Sequence, residues 1–281
     1  ALERFDLNSY QLLISDLRLP GAPGTELISK TERPVLIMTS YASLKSAVDS
    51  MKQGAIDYIA NNARAMILCG SGRGFCSGAS LNPANPLTPM SADRSQRDIG
   101  IILEKFLNPI MTKLKNLPIP WICAVRGSAA GFGASLALAG DMIIASENAT
   151  FIQIFSKIGL VPDGGATHLL SRTIGRARTM ELMLTGDRLS AEKALDWALV
   201  NRVVADDTLE EEAFNTALAL AKGPTVALSL IRKAVWTAVD SNWETSLQTE
   251  RELQKVAGQT ADFDEGVAAF VEKRAAKFTG Q

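Results

Sequence analysis

The chain has 281 residues, of which 47% are hydrophobic and 21% are charged, and its formal net charge at pH 7 is -1. This length is sufficient for one large hydrophobic core or two smaller ones. The balanced charge gives no reason to expect nucleic acid as a partner.

The first sixty residues alternate short strands and short helices. The strings QLLISDLRLPG, RPVLIMTSY and AIDYIA predict strands, and the strings GTELISK and SLKSAVDSMKQG between them predict helices. Because this alternation is typical of a parallel sheet, we expect one here.

Residues 1–62 resemble the central and C-terminal part of a response-regulator receiver domain. The resemblance places Asp16 at the phospho-accepting position, Thr39 at the hydroxyl position and Tyr58 at the switch aromatic. The first strand with its acidic pair is absent, and Asn61 stands where receivers carry a lysine. Since phosphoryl chemistry needs a divalent cation held by several carboxylates, the sequence favours a structural or interaction role over signalling.

Two glycine-rich stretches follow this segment. AMILCGSGRGFCSGASL (65–81) is a strand and loop, and AVRGSAAGFGASLALAGD (124–141) leads into a helix after Gly131 and Gly133. Glycine lets a ligand oxygen approach the backbone, and free N–H groups there stabilise negative charge on a carbonyl oxygen. Turns and tight packing explain either stretch alone, but together they predict an anion-stabilising site. A dinucleotide fingerprint fails because Phe75 replaces its third glycine.

Outside these two stretches the sequence predicts several helices. The expected helices are Gly100 to Leu114, closed by Asn116 and Pro118; Ala191 to Ala198, capped by Ser190; Leu209 to Ala221; Thr225 to Val239; and an amphipathic C-terminal stretch.

From about residue 64 to residue 281 the chain resembles the crotonase superfamily, also called the enoyl-CoA hydratase/isomerase family. The resemblance rests on RAMILCGSGRGFCSGASL, PIPWICAVRGSAAGFGASLALAGDMIIAS, FIQIFSKIGLVPDGG and ADFDEGVAAFVEKRAAKFTG. Within that family the chain is most similar to ring-epoxide isomerases of phenylacetyl-CoA catabolism. The implied fold is α/β: a crotonase-like ββα spiral over residues 63–220 and a C-terminal helical region over residues 221–281. The receiver-like β/α segment is expected to be partly integrated into this core rather than to form a separate lobe, because half a receiver would expose a hydrophobic sheet face.

The resemblance also implies a catalytic arrangement. The backbone N–H groups of Ala79 and Phe132 would hold a thioester carbonyl and its enolate, and Asp163 would shuttle a proton. Family hydratases use two glutamates, and the positions that match them here are Ser135 and Phe155, which cannot move a proton at neutral pH. Isomerisation is therefore favoured over hydration, with hydration kept as an alternative.

Asp163 has a second interpretation, because PDGG followed by ATHLLSRTIG is also typical of an aspartate that caps a helix. If Ile154, Phe155, Ile158 and Val161 wall the pocket, burial would raise the pKa of Asp163. His168, the only histidine, is expected to be a partly buried helix residue.

The resemblance implies an acyl-CoA thioester substrate and a homo-trimer or hexamer. Six residues are implied substrate contacts: Gly78, Gly131, Ser135, Phe155, Lys277 and Phe278. Residues 82–98 are expected to line the acyl pocket. No separate cofactor and no metal are expected, since coenzyme A enters as part of the substrate.

The three cysteines lack metal-ligand spacing and have apolar neighbours, so we expect reduced core thiols. No leader or membrane span is recognisable, which predicts a cytoplasmic protein without membrane partners. A catalytically idle or regulatory chimera, using the receiver-like segment for contacts, is the alternative from another functional class.

Overall fold

The computed structural model describes residues 63–79 and 93–281 in full, and five strands of the N-terminal segment by their backbone. The chain divides into two compact units, Ala1–Ala63 and Arg64–Gln281, which are treated separately below.

The N-terminal unit contains a parallel sheet. Its strands are β1 (Leu13–Asp16), β4 (Val35–Thr39) and β5 (Asp57–Ala60), in the order β1-β4-β5, and β2 (Arg18–Leu19) pairs with β3 (Ala22–Pro23) in antiparallel fashion. The three predicted strands and their parallel arrangement are thus confirmed. The two predicted helices of this segment lie outside the described residues.

The larger unit is built around two sheets. The four-stranded sheet has the order β12-β9-β7-β6 and is parallel throughout; its strands are β6 (Met66–Cys69), β7 (Trp121–Val125), β9 (Met142–Ser146) and β12 (Arg202–Val204). The three-stranded sheet has the order β11-β10-β8, with β8 (Ser128–Ala130) parallel and β11 (Arg188–Ser190) antiparallel to β10 (Thr150–Ile152).

Strand β7 is the centre of the core, since all five of its residues are buried. Trp121 and Val125 contribute to the larger hydrophobic cluster. The alternate residues Ile122 and Ala124 belong to a second cluster that includes Leu209. Because neighbouring side chains of a strand point to opposite faces, β7 is covered on both sides, as parallel strands usually are.

Ten α-helical segments complete the described part of this unit. They are α1 (Gly100–Ile102), α2 (Asn108–Lys115), α3 (Phe132–Leu138), α4 (Ala166–Thr173), α5 (Gly175–Thr185), α6 (Ala191–Asp196), α7 (Leu209–Ala221), α8 (Thr225–Asp240), α9 (Trp243–Ala257) and α10 (Ala261–Glu272). The predicted helical tail is confirmed, and the Ser190 hydroxyl caps α6 by accepting from the Lys193 N–H at 3.2 Å. The α/β class expected from the sequence is also confirmed.

Two sequence expectations need correction. The helix predicted over Gly100 to Leu114 is interrupted by a π-helical turn at Leu103–Leu107. Pro109 follows this turn, and its missing N–H together with its ring prevents a regular α-helical bond to the preceding turn. The cysteines are not all core thiols: Cys123 is buried and Cys76 is half-buried, but Cys69 is exposed.

Helix α8 is fixed to the core by Arg232. Its guanidinium group donates to the Asp141 carboxylate and to the carbonyls of Leu114 and Leu117. Within the described residues, no single helix is long and apolar enough to cross a membrane. The helical stretches 206–221 and 225–240 reach that length and composition only when taken together, and the chain bends by 106° between them.

Candidate active site

The two glycine-rich loops run side by side. Cys76 and Ala129 form a parallel β-bridge. The Ser128 carbonyl accepts from the N–H groups of Phe75 and Cys76 at 3.1 Å, and the Ala130 N–H donates to the Cys76 carbonyl at 2.9 Å. Because parallel segments leave a bridge in the same direction, residues 77–79 and 131–132 emerge at the same end.

Glycine is required at the point where the loops meet. Gly78 has a φ of +98°, and a Cβ there would lie 2.9 Å from the Ala130 carbonyl oxygen and 3.6 Å from the Phe132 nitrogen. Gly131 has a φ of +54°, and its N–H donates to the Ile152 carbonyl at 2.9 Å. Side chains at both positions would be strained by the positive φ, and one at Gly78 would also push the loops apart.

The backbone N–H groups of Ala79 and Phe132 are available for a ligand. Phe132 is the first residue of α3, so its N–H has no partner within the helix. Neither N–H has an acceptor among the described residues. Ala79 and Phe132 line the same cavity, so the arrangement can present two donors to one oxygen atom.

This cavity has a volume of about 620 Å³ and mostly apolar walls. Its described lining consists of Ser77, Gly78, Ala79, Arg97, Ile99, Ile102, Leu103, Leu107, Gly131, Phe132, Ile154, Phe155, Ile158, Leu160 and Asp163. The expected wall residues Ile154, Phe155 and Ile158 are present. Val161 is not, because its side chain is 81% exposed, and Leu160 lines the cavity instead.

The sequence predicted only part of the cavity wall around α1. Ile99, Ile102, Leu103 and Leu107 line the cavity, whereas the sequence predicted a helix over Gly100 to Leu114 without showing which of its residues would meet the site. Arg97 falls within the range 82–98 that was expected to line the acyl pocket, whereas residues 82–92 lie outside the described residues.

Asp163 is the only carboxylate among the described residues that line the cavity. Its Oδ1 atom is buried and has no hydrogen-bond partner in the described structure. Burial raises the pKa of Asp163 to about 6, because a charged carboxylate is poorly solvated between apolar walls.

The helix-capping interpretation of Asp163 is wrong. Gly165 is the N-cap residue of α4, and no side chain caps this helix. The Ala166 N–H donates at 3.1 Å to the main-chain carbonyl of Asp163 and not to its carboxylate.

The two positions that match the hydratase glutamates are not equivalent in space. Phe155 is 5% exposed and lines the cavity. Ser135 is fully buried, does not line the cavity, and donates from its hydroxyl to the Asp163 carbonyl oxygen at 2.9 Å. A direct contact between Ser135 and substrate stays a prediction.

The C-terminal candidates lie apart from the cavity lining of this chain. The Lys277 N–H donates to the Glu265 carboxylate at 2.7 Å, and the residue is exposed. The Phe278 carbonyl accepts from the Arg64 guanidinium at 3.1 Å. Contact of Lys277 and Phe278 with substrate stays a prediction. His168 lies in α4, 3.5 Å from the Asp240 carboxylate, and is partly buried as expected.

The receiver-like candidates lie in the separate small sheet. Asp16 and Thr39 are the last residues of β1 and β4, and Tyr58 lies in β5. Asn61 lies outside the described residues, and a structural or interaction role for this segment stays a prediction.

Comparison with known proteins identifies relatives of most of the chain. The family model "Enoyl-CoA hydratase/isomerase" matches residues 44–281. A 1,2-epoxyphenylacetyl-CoA isomerase of Escherichia coli is 47% identical over 220 residues, which cover 78% of this chain and 82% of that protein. A probable enoyl-CoA hydratase of Rhodobacter capsulatus is 37% identical over 239 residues, which cover 85% and 90% respectively. A solved enoyl-CoA hydratase from Bacillus anthracis superposes with a TM-score of 0.70 at 28% identity, over 96% of each chain.

Proposed function

The chain belongs to the enoyl-CoA hydratase/isomerase family, and we propose that it is an acyl-CoA isomerase. It shifts a double bond or rearranges a ring epoxide through a thioester enolate. The observation that carries this proposal is the single unpartnered carboxylate of Asp163 in an apolar cavity that also holds two free backbone N–H groups.

The backbone N–H groups of Ala79 and Phe132 bind the thioester oxygen. They stabilise the negative charge that develops on this oxygen when a proton leaves the neighbouring carbon. Their placement by Gly78 and Gly131 precedes substrate binding, so no reorganisation is needed during the reaction.

Asp163 moves the proton. For a 3-enoyl thioester, its carboxylate removes the proton from C2, the electron pair spreads over the enolate and the former double bond, and the protonated acid returns the proton to C4. One carboxylate is enough for this transfer, and a pKa near 6 allows both steps near neutral pH.

Water addition is disfavoured because neither of the two hydratase glutamates is present. Phe155 and Ser135 occupy the positions that match the hydratase glutamates, and neither can activate water. Phe155, Ile154 and Leu160 give the cavity an apolar wall, which leaves a nucleophilic water without a base other than Asp163 among the described lining residues.

The substrate brings coenzyme A with it, and the proposed reaction uses no further cofactor. Lys277 and Phe278 are proposed contacts of the nucleotide, and the protein is proposed to be a cytoplasmic homo-trimer or hexamer. Three apolar side chains on the C-terminal helices support self-association, since Trp243 is 72%, Phe270 86% and Val271 73% exposed.

The test is a screen of 3-enoyl, 2-enoyl and ring-epoxide CoA thioesters with the wild type and Asp163→Asn. We expect isomerised product from at least one substrate, no hydrated product, and a loss of roughly 10²-fold or more in kcat for the variant. Asp196→Asn, an exposed aspartate that does not line the cavity, is the matched control. Full isomerase turnover by Asp163→Asn, or hydration as the main reaction of the wild type, would refute the proposal.

A further inference from the structure

Ser135 and Asp163 are joined by a buried hydrogen bond. Ser135 is 0% exposed, and its Oγ atom lies 2.9 Å from the Asp163 carbonyl oxygen. The other acceptor in reach, the Gly131 carbonyl, is 3.4 Å away, which is long for a hydroxyl donor. The single hydroxyl proton is therefore used on Asp163.

The turn that carries Asp163 lies directly on helix α3. Gly164 has a φ of +59°, and a Cβ there would lie 2.8 Å from the Ser135 Cβ and 3.0 Å from the Phe132 ring. The Ala166 N–H also donates to the Asp163 carbonyl, at 3.1 Å. The main chain of Asp163 is thus fixed between two helices, while its Oδ1 atom has no partner among the described residues.

Helix α3 links the Phe132 N–H to the turn that carries Asp163. Phe132, whose N–H is a proposed oxyanion donor, begins α3, and Ser135 lies three residues later. Side chains at this spacing share a helix face, and those of Phe132 and Ser135 both contact the turn at Gly164. The separation between the Phe132 N–H and the Asp163 carboxylate is therefore set by a rigid turn of helix and one hydrogen bond.

We propose that Ser135 is a positioning residue, an inference that rests on the proposed function. It holds Asp163 at a fixed position relative to the Phe132 N–H and inside the apolar cavity. Ser135 acts through Asp163, because it is fully buried and does not line the cavity. Misplacement of a reacting group by about 1 Å can cost as much as 10²-fold in rate. Loss of the hydroxyl should therefore impair turnover more than substrate binding.

The experiment compares Ser135→Ala and Ser135→Cys with the wild type. It measures kcat, KM and the pH dependence of kcat with a CoA thioester that the wild type isomerises. We expect kcat to fall about tenfold in Ser135→Ala with KM changed less than about twofold, and a smaller fall in Ser135→Cys, whose thiol is larger than the hydroxyl but keeps a weak donor. The midpoint of the acid limb should move down by roughly half a pH unit or more, because a released carboxylate gains water. Arg97 is the only other charged side chain among the described lining residues, and it is unchanged in these variants.

Ser146→Ala is the matched control. Ser146 is also 0% exposed, and its hydroxyl donates to Asn148, away from the cavity lining. Its loss should lower the melting temperature but leave kcat and the pH midpoint unchanged. Ser135→Ala with wild-type kcat and midpoint, or with a raised KM alone, would overturn the positioning role while leaving the proposed isomerase function intact. Should Ser135→Ala not fold, Ser135→Cys decides by the same readouts; full activity of Asp163→Asn would overturn the proposed function itself and the positioning role with it.

Discussion

The Phe132 ring packs on the backbone of Gly164, since a Cβ at Gly164 would lie 3.0 Å from ring carbons Cδ2 and Cε2. The residue that is proposed to bind the thioester oxygen thus also supports the turn next to Asp163. Any test of the Phe132 N–H must separate the amide from the ring.

We expect Phe132→Pro to lose roughly 10²-fold or more in kcat relative to Phe132→Leu. Both variants lose the ring, but only proline removes the N–H, and proline is tolerated at the first position of a helix. Steady-state kinetics with a CoA thioester that the wild type isomerises measure the difference in kcat, and circular dichroism checks that both variants fold. Equal kcat values for two folded variants would contradict the proposed oxyanion role.

The pH dependence of activity should follow Asp163. Proton removal requires the carboxylate form, and burial raises the pKa of Asp163 to about 6. We therefore expect kcat/KM of the wild type to fall about tenfold per pH unit below pH 6 and to level off above it. Rates measured from pH 5 to pH 8 test this, and a flat profile over that range would exclude Asp163 as the base.

Asp163 should also cost stability at neutral pH. An unfolded aspartate ionises near pH 3.9, whereas the folded one ionises near pH 6, so the unfolded chain binds fewer protons between these values. The free energy of unfolding therefore falls as the pH rises through this window. We expect Asp163→Asn to be more stable than the wild type by on the order of 2 kcal/mol at pH 7.5, and by less at pH 5.

Urea denaturation at these two pH values measures the effect. A difference that does not depend on pH, or a wild type that is the more stable protein at pH 7.5, would show that the Asp163 carboxylate is well solvated in the folded state.

The two loops of the site could be predicted from sequence because their requirements are local. Gly78 and Gly131 need positive φ values, and glycine is the residue that supplies them. Helix α7 was predicted with its observed bounds, since its apolar spacing and its flanking residues agree.

The role of the Asp163 turn could not be predicted in the same way. The string PDGG is compatible with an aspartate that caps a helix and with one whose carboxylate is free. Which of the two forms depends on Ser135, which is 28 residues away and donates to the Asp163 carbonyl. The exposure of Val161 and of Cys69 also depends on packing that local spacing does not specify.

Arg232 should be important for stability. Its side chain is 7% exposed, and it donates to the Asp141 carboxylate, which also accepts from the Trp121 N–H at 2.9 Å. Arg232→Ala would leave a largely buried carboxylate without its cation, and we expect a loss of about 3–5 kcal/mol in the free energy of unfolding. Lys157→Ala, which removes an exposed pair to Asp187 at 3.9 Å, should cost less than about 1 kcal/mol. Similar losses in urea denaturation would contradict this assignment.

Asp262 should hold the C-terminal segment in place. Its side chain is 3% exposed, and its two oxygens accept from the N–H groups of Thr279 at 2.6 Å and Gly280 at 2.8 Å. Asp262→Ala removes both acceptors, so these amides should lose hydrogen-exchange protection, whereas Asp264→Ala, an exposed change on the same helix, should leave them protected. Because Lys277 is a proposed nucleotide contact that does not touch the reacting atoms, the Asp262 variant should also show a raised KM for CoA thioesters with an unchanged kcat. Protected amides in Asp262→Ala would contradict the proposed anchoring, and a lowered kcat would mean that the segment affects the chemical step.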